Sequence, residues 1–271
     1  MQISIMGCGW LGQPLARQLS RDGHNIAATC RSETTQKQLQ QLGFTAHLFN
    51  LGDRLNSETI LAVLQADWLI LNIPPDSKQV QPEFFTEQMS VLIQQAKSHG
   101  TKRLLFISTT AVYGEAQGEI NEQSPCIPTT LSAQAHLKIE QQVLACFGQK
   151  ACILRLSGLV GPNRHPAKHL AAKTNLNNAR QAVNLIHQQD VIAAIKLIIQ
   201  HPHFGHILHL SAHEHPTREN YYQWACNKLN LVPPTFIHSE NGSPGKLINA
   251  QWTCNTLGLD LKYSSPYDML A

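Results

Sequence analysis

Charge, aromatic side chains and long apolar runs are all scarce in this 271-residue chain. Charged residues make up only 14% of it, the formal net charge is +3, and Lys and Arg form no cluster. That balance excludes the electrostatic footprint of a nucleic-acid binder. No apolar stretch reaches the ~18 residues that a membrane span needs. The longest, such as VIAAIKLII, is broken by Lys196. The seven cysteines (Cys8, Cys30, Cys126, Cys146, Cys152, Cys226, Cys254) are scattered and contain no Cys-x-x-Cys pair. A disulfide framework or a cysteine zinc site is therefore not expected, and reduced, mostly buried thiols are. The first residues, MQISIMGCGWLGQ, have no basic segment before their apolar part. A signal peptide is not expected, and a cytoplasmic location is. Internal repeats and low-complexity tracts are also missing.

What is present is a regular alternation. ISIM, IAATC, AHLF, WLILNI, RLLFIS and CILRLS are short apolar runs of strand character. Between them lie helical spacings such as Leu11/Leu15/Leu19 and Met89/Leu92/Ile93/Ala96, with Gly23, Gly43 and Gly100 placed as helix stops. Continuous apolar strands are buried on both faces, so the pattern predicts an α/β chain with a Rossmann-type, doubly wound parallel sheet. After residue 155 the pattern loosens into a polar stretch, GLVGPNRHPAKHLAAKTNLNNARQ, before a helix and strand return. The expected organisation is a dinucleotide-binding domain over residues 1–155 and 181–211. Residues 156–180 and 212–271 would form a small C-terminal α/β substrate lobe. A cleft between the two would be the natural ligand site.

The strongest local motif is Gly7-x-Gly9-x-x-Gly12, after a strand and opening a helix. The first glycine permits a tight turn, the second lets a pyrophosphate approach the backbone, and the third allows close helix–strand packing. Trp10 and Leu11 lie within the loop, and the helix N-terminus that follows offers N–H groups and partial positive charge to a phosphate. NAD binders usually carry Asp or Glu about 20 residues further on, to accept from the ribose 2′-hydroxyl. Here that region reads Cys30-Arg31-Ser32. Arg31 suits a 2′-phosphate, which favours NADP, while Glu33 keeps NAD open; as a plain surface residue Arg31 needs no such role. Asn72, at the end of the fourth strand, stands where an adenine ribose would pass, or simply enters a loop.

Taken in order, GCGWLG, STTAVYG, a Lys138 in register, LRLSGLVGP and NLIHQQDV make the chain resemble the extended short-chain dehydrogenase/reductase superfamily, a group of epimerases, dehydratases and reductases. The fuller strings GWLGQPLA, VYGEAQG, LRLSGLVGPNRHP and GKLINAQWTCNTLG look like its atypical YeeZ-like branch. The resemblance implies an NAD(P)-dependent oxidoreductase or epimerase-like activity on a small carbonyl or sugar-like substrate. It also implies that Thr109 orients the substrate oxygen and that Lys138 bonds the nicotinamide ribose. The position of the proton-transferring Tyr, 25 residues after Thr109, holds Gln134. Gln cannot ionise, and general acid–base help is typically worth about 10²–10⁴ in rate. A redox sensor or scaffold without catalysis is thus the alternative. Dimerisation is common among relatives, so a homodimer stays open.

Other candidates carry a plain reading beside a functional one. Tyr113 is the replacement acid closest to hand, although that aromatic often packs structurally. His136 reads as a surface residue. Asn184 and His187 match a strand that lines the cleft in relatives, and Asp190 reads as the N-cap of the next helix. Arg164, with His165, Lys168 and His169, makes a basic loop suited to an anionic substrate or to water alone. The histidines of HPHFGHILHLSAHEHP lack metal-ligand spacing, and no metal site is expected.

Overall fold

The computed structural model describes residues 1–55, 58–75, 82–201, 205–238 and 242–270. In chain order the elements are β1 (Gln2–Met6), α1 (Gly12–Arg21), β2 (Asn25–Cys30), α2 (Glu33–Gln41), β3 (Thr45–Leu48), α3 (Glu58–Leu64), β4 (Trp68–Leu71), α4 (Pro82–Ser98) and β5 (Arg103–Thr109). There follow β6 (Gly118–Ile120), α5 (Leu131–Phe147), β7 (Ala151–Leu156), β8 (Gly158–Val160), the single turn α6 (Ala167–Leu170) and β9 (Leu185–His187). Last come α7 (Gln188–Gln200), β10 (His206–Leu210), α8 (Arg218–Lys228), β11 (Lys246–Ile248) and α9 (Gln251–Leu257).

Seven strands form one sheet in the order β10-β7-β5-β4-β1-β2-β3. Pairing is parallel from β3 through β2, β1 and β4 to β5. This is the doubly wound Rossmann arrangement that the alternating pattern predicts. Its order reverses between β1 and β4, the topological switch point at which such sheets bind ligands. β1, β4 and β7 are buried almost throughout, which explains their unbroken apolar runs.

The chain divides into two compact units. One comprises Met1–Val112, Thr129–Leu154 and Ile198–Leu208; its core packs Leu71 and Phe106 of the sheet against Phe85 and Met89 of α4 and Ile139 and Val143 of α5. The other comprises Tyr113–Pro128, Arg155–Leu197 and His209–Ala271. It holds two small parallel pairs, β11 with β6 and β8 with β9, and its own core around Tyr221, Ala225 and Phe236.

Two polar residues lie elsewhere than their sequence context suggests. Asp190 does not cap its helix. It is buried, and its carboxylate accepts from the backbone N–H groups of Lys262 (2.8 Å) and Tyr263 (3.1 Å), pinning that segment to α7. Burial raises its pKa, an effect only partly offset by those two bonds.

His136 is not on the surface but 7% exposed. Its ring stacks on Phe106 with centroids 5.7 Å apart, and its Nδ1 has no hydrogen-bond partner among the described residues. The residues α5 buries, Ala133, His136, Glu140, Val143 and Phe147 among them, recur at three- and four-residue spacing. His136 stands on that inward stripe and must go in with it. Burial pushes its pKa down to about 4, so the native state requires the neutral ring. Between about pH 6.5 and pH 4 the unfolded chain therefore binds a proton that the folded chain refuses. The contribution is fully present above about pH 6.5 and is lost as the pH falls, reaching about 3 kcal/mol. His136→Leu should flatten this part of the stability–pH profile in urea titrations from pH 7 to pH 4. An unchanged slope would show that His136 does not titrate in this way.

Candidate functional site

The switch point is built by a collision that only glycine avoids. Gly7 directly follows β1 with φ of 90°, and a Cβ there would stand 2.3 Å from the carbonyl oxygen of Asn72, which directly follows β4. The two strand ends are laced together. Asn72 N–H donates to Met6 O at 2.8 Å, and Asn72 Nδ2 donates to Gly7 O at 2.9 Å. The Asn72 amide thus braces the glycine loop from within. Gly12 is required for a similar reason, since a Cβ there would meet Gly7 O at 3.0 Å.

Gly9 differs. A Cβ added there would meet no atom within 4 Å, and its φ is not positive. Neither packing nor backbone strain explains it; the space above it fits a ligand that approaches the main chain. The following helix supports the same reading. Ser32, Thr130 and Thr217 cap α2, α5 and α8 with their hydroxyls, whereas Leu11 gives α1 no side-chain cap, and the first turn of α1 has no acidic residue. An anion would complete it. Leu11 itself is buried, and Trp10 is half-buried beside it.

At the end of β2, Arg31 is exposed. Ser32 is engaged as the cap of α2, its Oγ accepting from Thr35 N–H at 3.2 Å and donating to Thr35 Oγ1 at 2.9 Å. Cys30 is buried, and no carboxylate ends the strand. Beyond β3, Asn50 and Asp53 close a tight turn, with Asn50 N–H donating to Asp53 Oδ2 at 2.6 Å. This turn borders a cavity of about 490 Å³ lined by Phe49, Leu51, Val91 and Leu92 among others, which no sequence motif announces.

Thr109 is the last residue of β5, half-buried, and its Oγ1 accepts from Ala111 N–H at 3.1 Å. That bond uses one lone pair and leaves the hydroxyl its proton and a second lone pair. Gln134 and Lys138 lie one turn apart on the exposed side of α5. All these residues belong to the first unit.

The remaining candidates belong to the second unit. Tyr113 is fully buried rather than presented to a ligand. Its hydroxyl accepts from Arg155 Nη1 at 3.0 Å and lies 3.1 Å from His209 Nδ1. His209 Nε2 is 2.7 Å from Asn249 O, which can only accept, so a neutral ring carries its proton on Nε2 and Nδ1 accepts from Tyr113. The phenol proton is therefore committed inward. Burial outweighs the nearby Arg155 and lifts the Tyr113 pKa to about 12, far from that of a working acid.

His187 is likewise buried. Its Nδ1 accepts from Gln189 N–H at 3.2 Å, and its ring packs against Tyr263 at 3.8 Å. Asn184 commits its amide to Lys246 O and Ile248 N–H, bracing β11. Of the basic loop, Arg164, Lys168 and His169 are exposed, but His165 is not. Its Nε2 meets the Tyr221 hydroxyl at 2.8 Å, and burial lowers its pKa to about 4. Among the described residues no group of His, Cys, Asp or Glu is arranged for a metal, none of the seven cysteines is in a disulfide, and no helix is long and apolar enough to cross a membrane.

A sheet of this order, with a glycine loop at its switch point running into an uncapped helix, defines the Rossmann-type dinucleotide-binding class. Comparison with known proteins narrows this. Residues 3–210 match the model of the NAD dependent epimerase/dehydratase family, and the chain belongs to that family. It is 35% identical over 270 residues to protein YeeZ of Escherichia coli K12, covering 99% of this chain and 98% of that one. Among solved structures it resembles the UDP-glucuronic acid 4-epimerase of Bacillus cereus in complex with NAD (TM-score 0.80, 17% identity, 100% and 96% of the two chains). It also resembles a short-chain dehydrogenase/reductase superfamily protein of Agrobacterium tumefaciens with bound NAD (TM-score 0.79, 17% identity, 100% and 95%). At these identities the two structures speak for the fold alone.

The glycines can be separated by experiment. Gly9→Ala should leave the melting temperature within about two degrees but weaken dinucleotide binding by about tenfold or more, because its methyl group enters ligand space. Gly7→Ala should instead destabilise the chain by about 1–3 kcal/mol from backbone strain, with a further cost from the Asn72 clash. Equal melting temperatures for the two variants would contradict this division.

Proposed function

We propose that this chain is a nicotinamide-dinucleotide-dependent oxidoreductase or epimerase-like enzyme that prefers NADP and acts on a small carbonyl or sugar-like substrate. The observation that carries the proposal is the open space above Gly9 at the mouth of an uncapped helix. A phosphate would find free N–H groups there, at the switch point of the sheet where the strand order reverses between β1 and β4. The preference for NADP rests on the exposed guanidinium of Arg31 and on the lack of a carboxylate at the end of β2. A forked cation pairs with a 2′-phosphate, while a 2′-hydroxyl would want an acceptor.

When bound, the nicotinamide supplies hydride transfer. The chain supplies position and polarity. Thr109 donates to the substrate oxygen, and Lys138 bonds the ribose hydroxyls. Gln134, standing in the place of the usual Tyr, can donate and accept hydrogen bonds but cannot carry a proton between states. Arg164, exposed on its loop in the second unit, can pair with an anionic group. Gln134 also favours a second reading, a dinucleotide-binding sensor without turnover. Both readings require the cofactor, and they part only over proton transfer.

Thermal shift with NADP, NADPH, NAD and NADH tests the first step. At 100 times its dissociation constant a ligand adds about 2.7 kcal/mol of stability. The NADP pair should shift melting most, and Arg31→Ala should remove the difference between the phosphorylated and unphosphorylated cofactors. A larger shift with NAD would overturn the role given to Arg31. Gln134→Tyr, screened against small carbonyl compounds, tests the second step: a rise in turnover fits an active site missing only its acid. Turnover that stays absent in both forms supports the sensor.

A further inference from the structure

One buried acid has no part in the site described above. Glu140 lies on α5, two residues past Lys138, and is 1% exposed. Ser108 Oγ donates to its Oε1 at 2.5 Å, and Ser108 is itself buried next to Thr109. That length belongs to a hydroxyl bonded to a carboxylate. A carboxylate is costly to bury, and an alanine or leucine would fill the same inward stripe of α5 without that cost.

The bond has a geometric effect that apolar packing lacks. Apolar contacts between a helix and a sheet allow small slides and rotations, whereas a short directional bond does not. Glu140 and Lys138 are about 200° apart around the helix, so the residue that faces inward sets how the outward one is presented. Ser108 and Thr109 are neighbours at the end of β5, so the same bond fixes the strand end that carries the Thr109 hydroxyl. His136 stacked on Phe106 makes a second contact between the same helix face and the same side of the strand. The torsional position of α5 over β5 is thereby held at two points, one polar and one aromatic.

We infer that Glu140 is a positioning residue, which acts through Ser108 to hold Lys138 and Thr109 in the relation that the nicotinamide half of a dinucleotide needs. This rests on the nicotinamide-binding reading given above. The adenine half should be indifferent to it, because the glycine loop joins β1 to α1 and Arg31 directly follows β2, apart from α5 and β5.

The test is calorimetric binding of two probes, intact NADP and adenosine 2′,5′-bisphosphate, to the wild type, Ser108→Ala, Glu140→Gln and Lys138→Met. Ser108→Ala removes the bond with one atom lost. Glu140→Gln keeps an acceptor and should rescue most of the effect. The expected result is that Ser108→Ala weakens NADP about tenfold and leaves the bisphosphate unchanged, with little further loss when it is combined with Lys138→Met. If Ser108→Ala weakens both probes alike, or neither, the bond is only structural and the inference fails. If the wild type binds neither probe, the nicotinamide reading fails and this inference goes with it. Binding of both probes with full additivity between Ser108→Ala and Lys138→Met overturns the positioning role alone.

Discussion

The close approach of the β1 and β4 ends is the contact on which the rest of the first unit depends. With the Gly7 Cβ position only 2.3 Å from Asn72 O, the two strand ends occupy nearly the same space, and the chain must turn away at once. That turn aims the backbone into α1, leaves Gly9 over open space and brings the Asn72 amide under the Gly7 carbonyl. The proposed phosphate cradle takes its position from this close approach. One added methyl group would have to move the sheet, not merely the loop.

The parts of this arrangement that are legible in the sequence are those set by local chemistry. The glycine spacing and the apolar strands each act over a few residues, and each is found where its pattern predicts. The illegible parts are polar residues that go inward. His136 and Asp190 look like a surface residue and a helix cap because most histidines and aspartates are exposed. The stripe of α5 carried the signal all the same: His136 and Glu140 stand four residues apart in line with Ala133 and Val143, on the face that has to be buried. Spacing outranks polarity there. Asp190 offered no such signal, since its partners at Lys262 and Tyr263 lie more than 70 residues away along the chain.

Tyr113 shows a different limit. Its place in a loop after Thr109 makes it the obvious spare acid, and residue type alone cannot say which way its hydroxyl points. The answer is fixed by hydrogen-bond direction. Asn249 O accepts from one nitrogen of His209, so the other must accept, and the phenol is left as donor while Arg155 donates to it. Each group has one compatible role, and the set is closed without a ligand. Glu122, 3.4 Å from His209 Nε2, adds a carboxylate to this buried group and favours the charged ring, while burial disfavours it more strongly. Such a network holds a fold together; it does not leave a proton to spare.

The second unit is assembled from three separate stretches of chain, 113–128, 155–197 and 209–271, which alternate along the sequence with stretches of the first. Neither unit can be cut out as one continuous piece. A recombination event that exchanges the second unit between relatives must therefore carry several segments at once or leave buried partners unmatched. Residues such as Asp190, whose bonding partners sit in a different block of sequence, are where such hybrids would first fail. For this chain, gradual substitution within the unit is an easier route to change than shuffling.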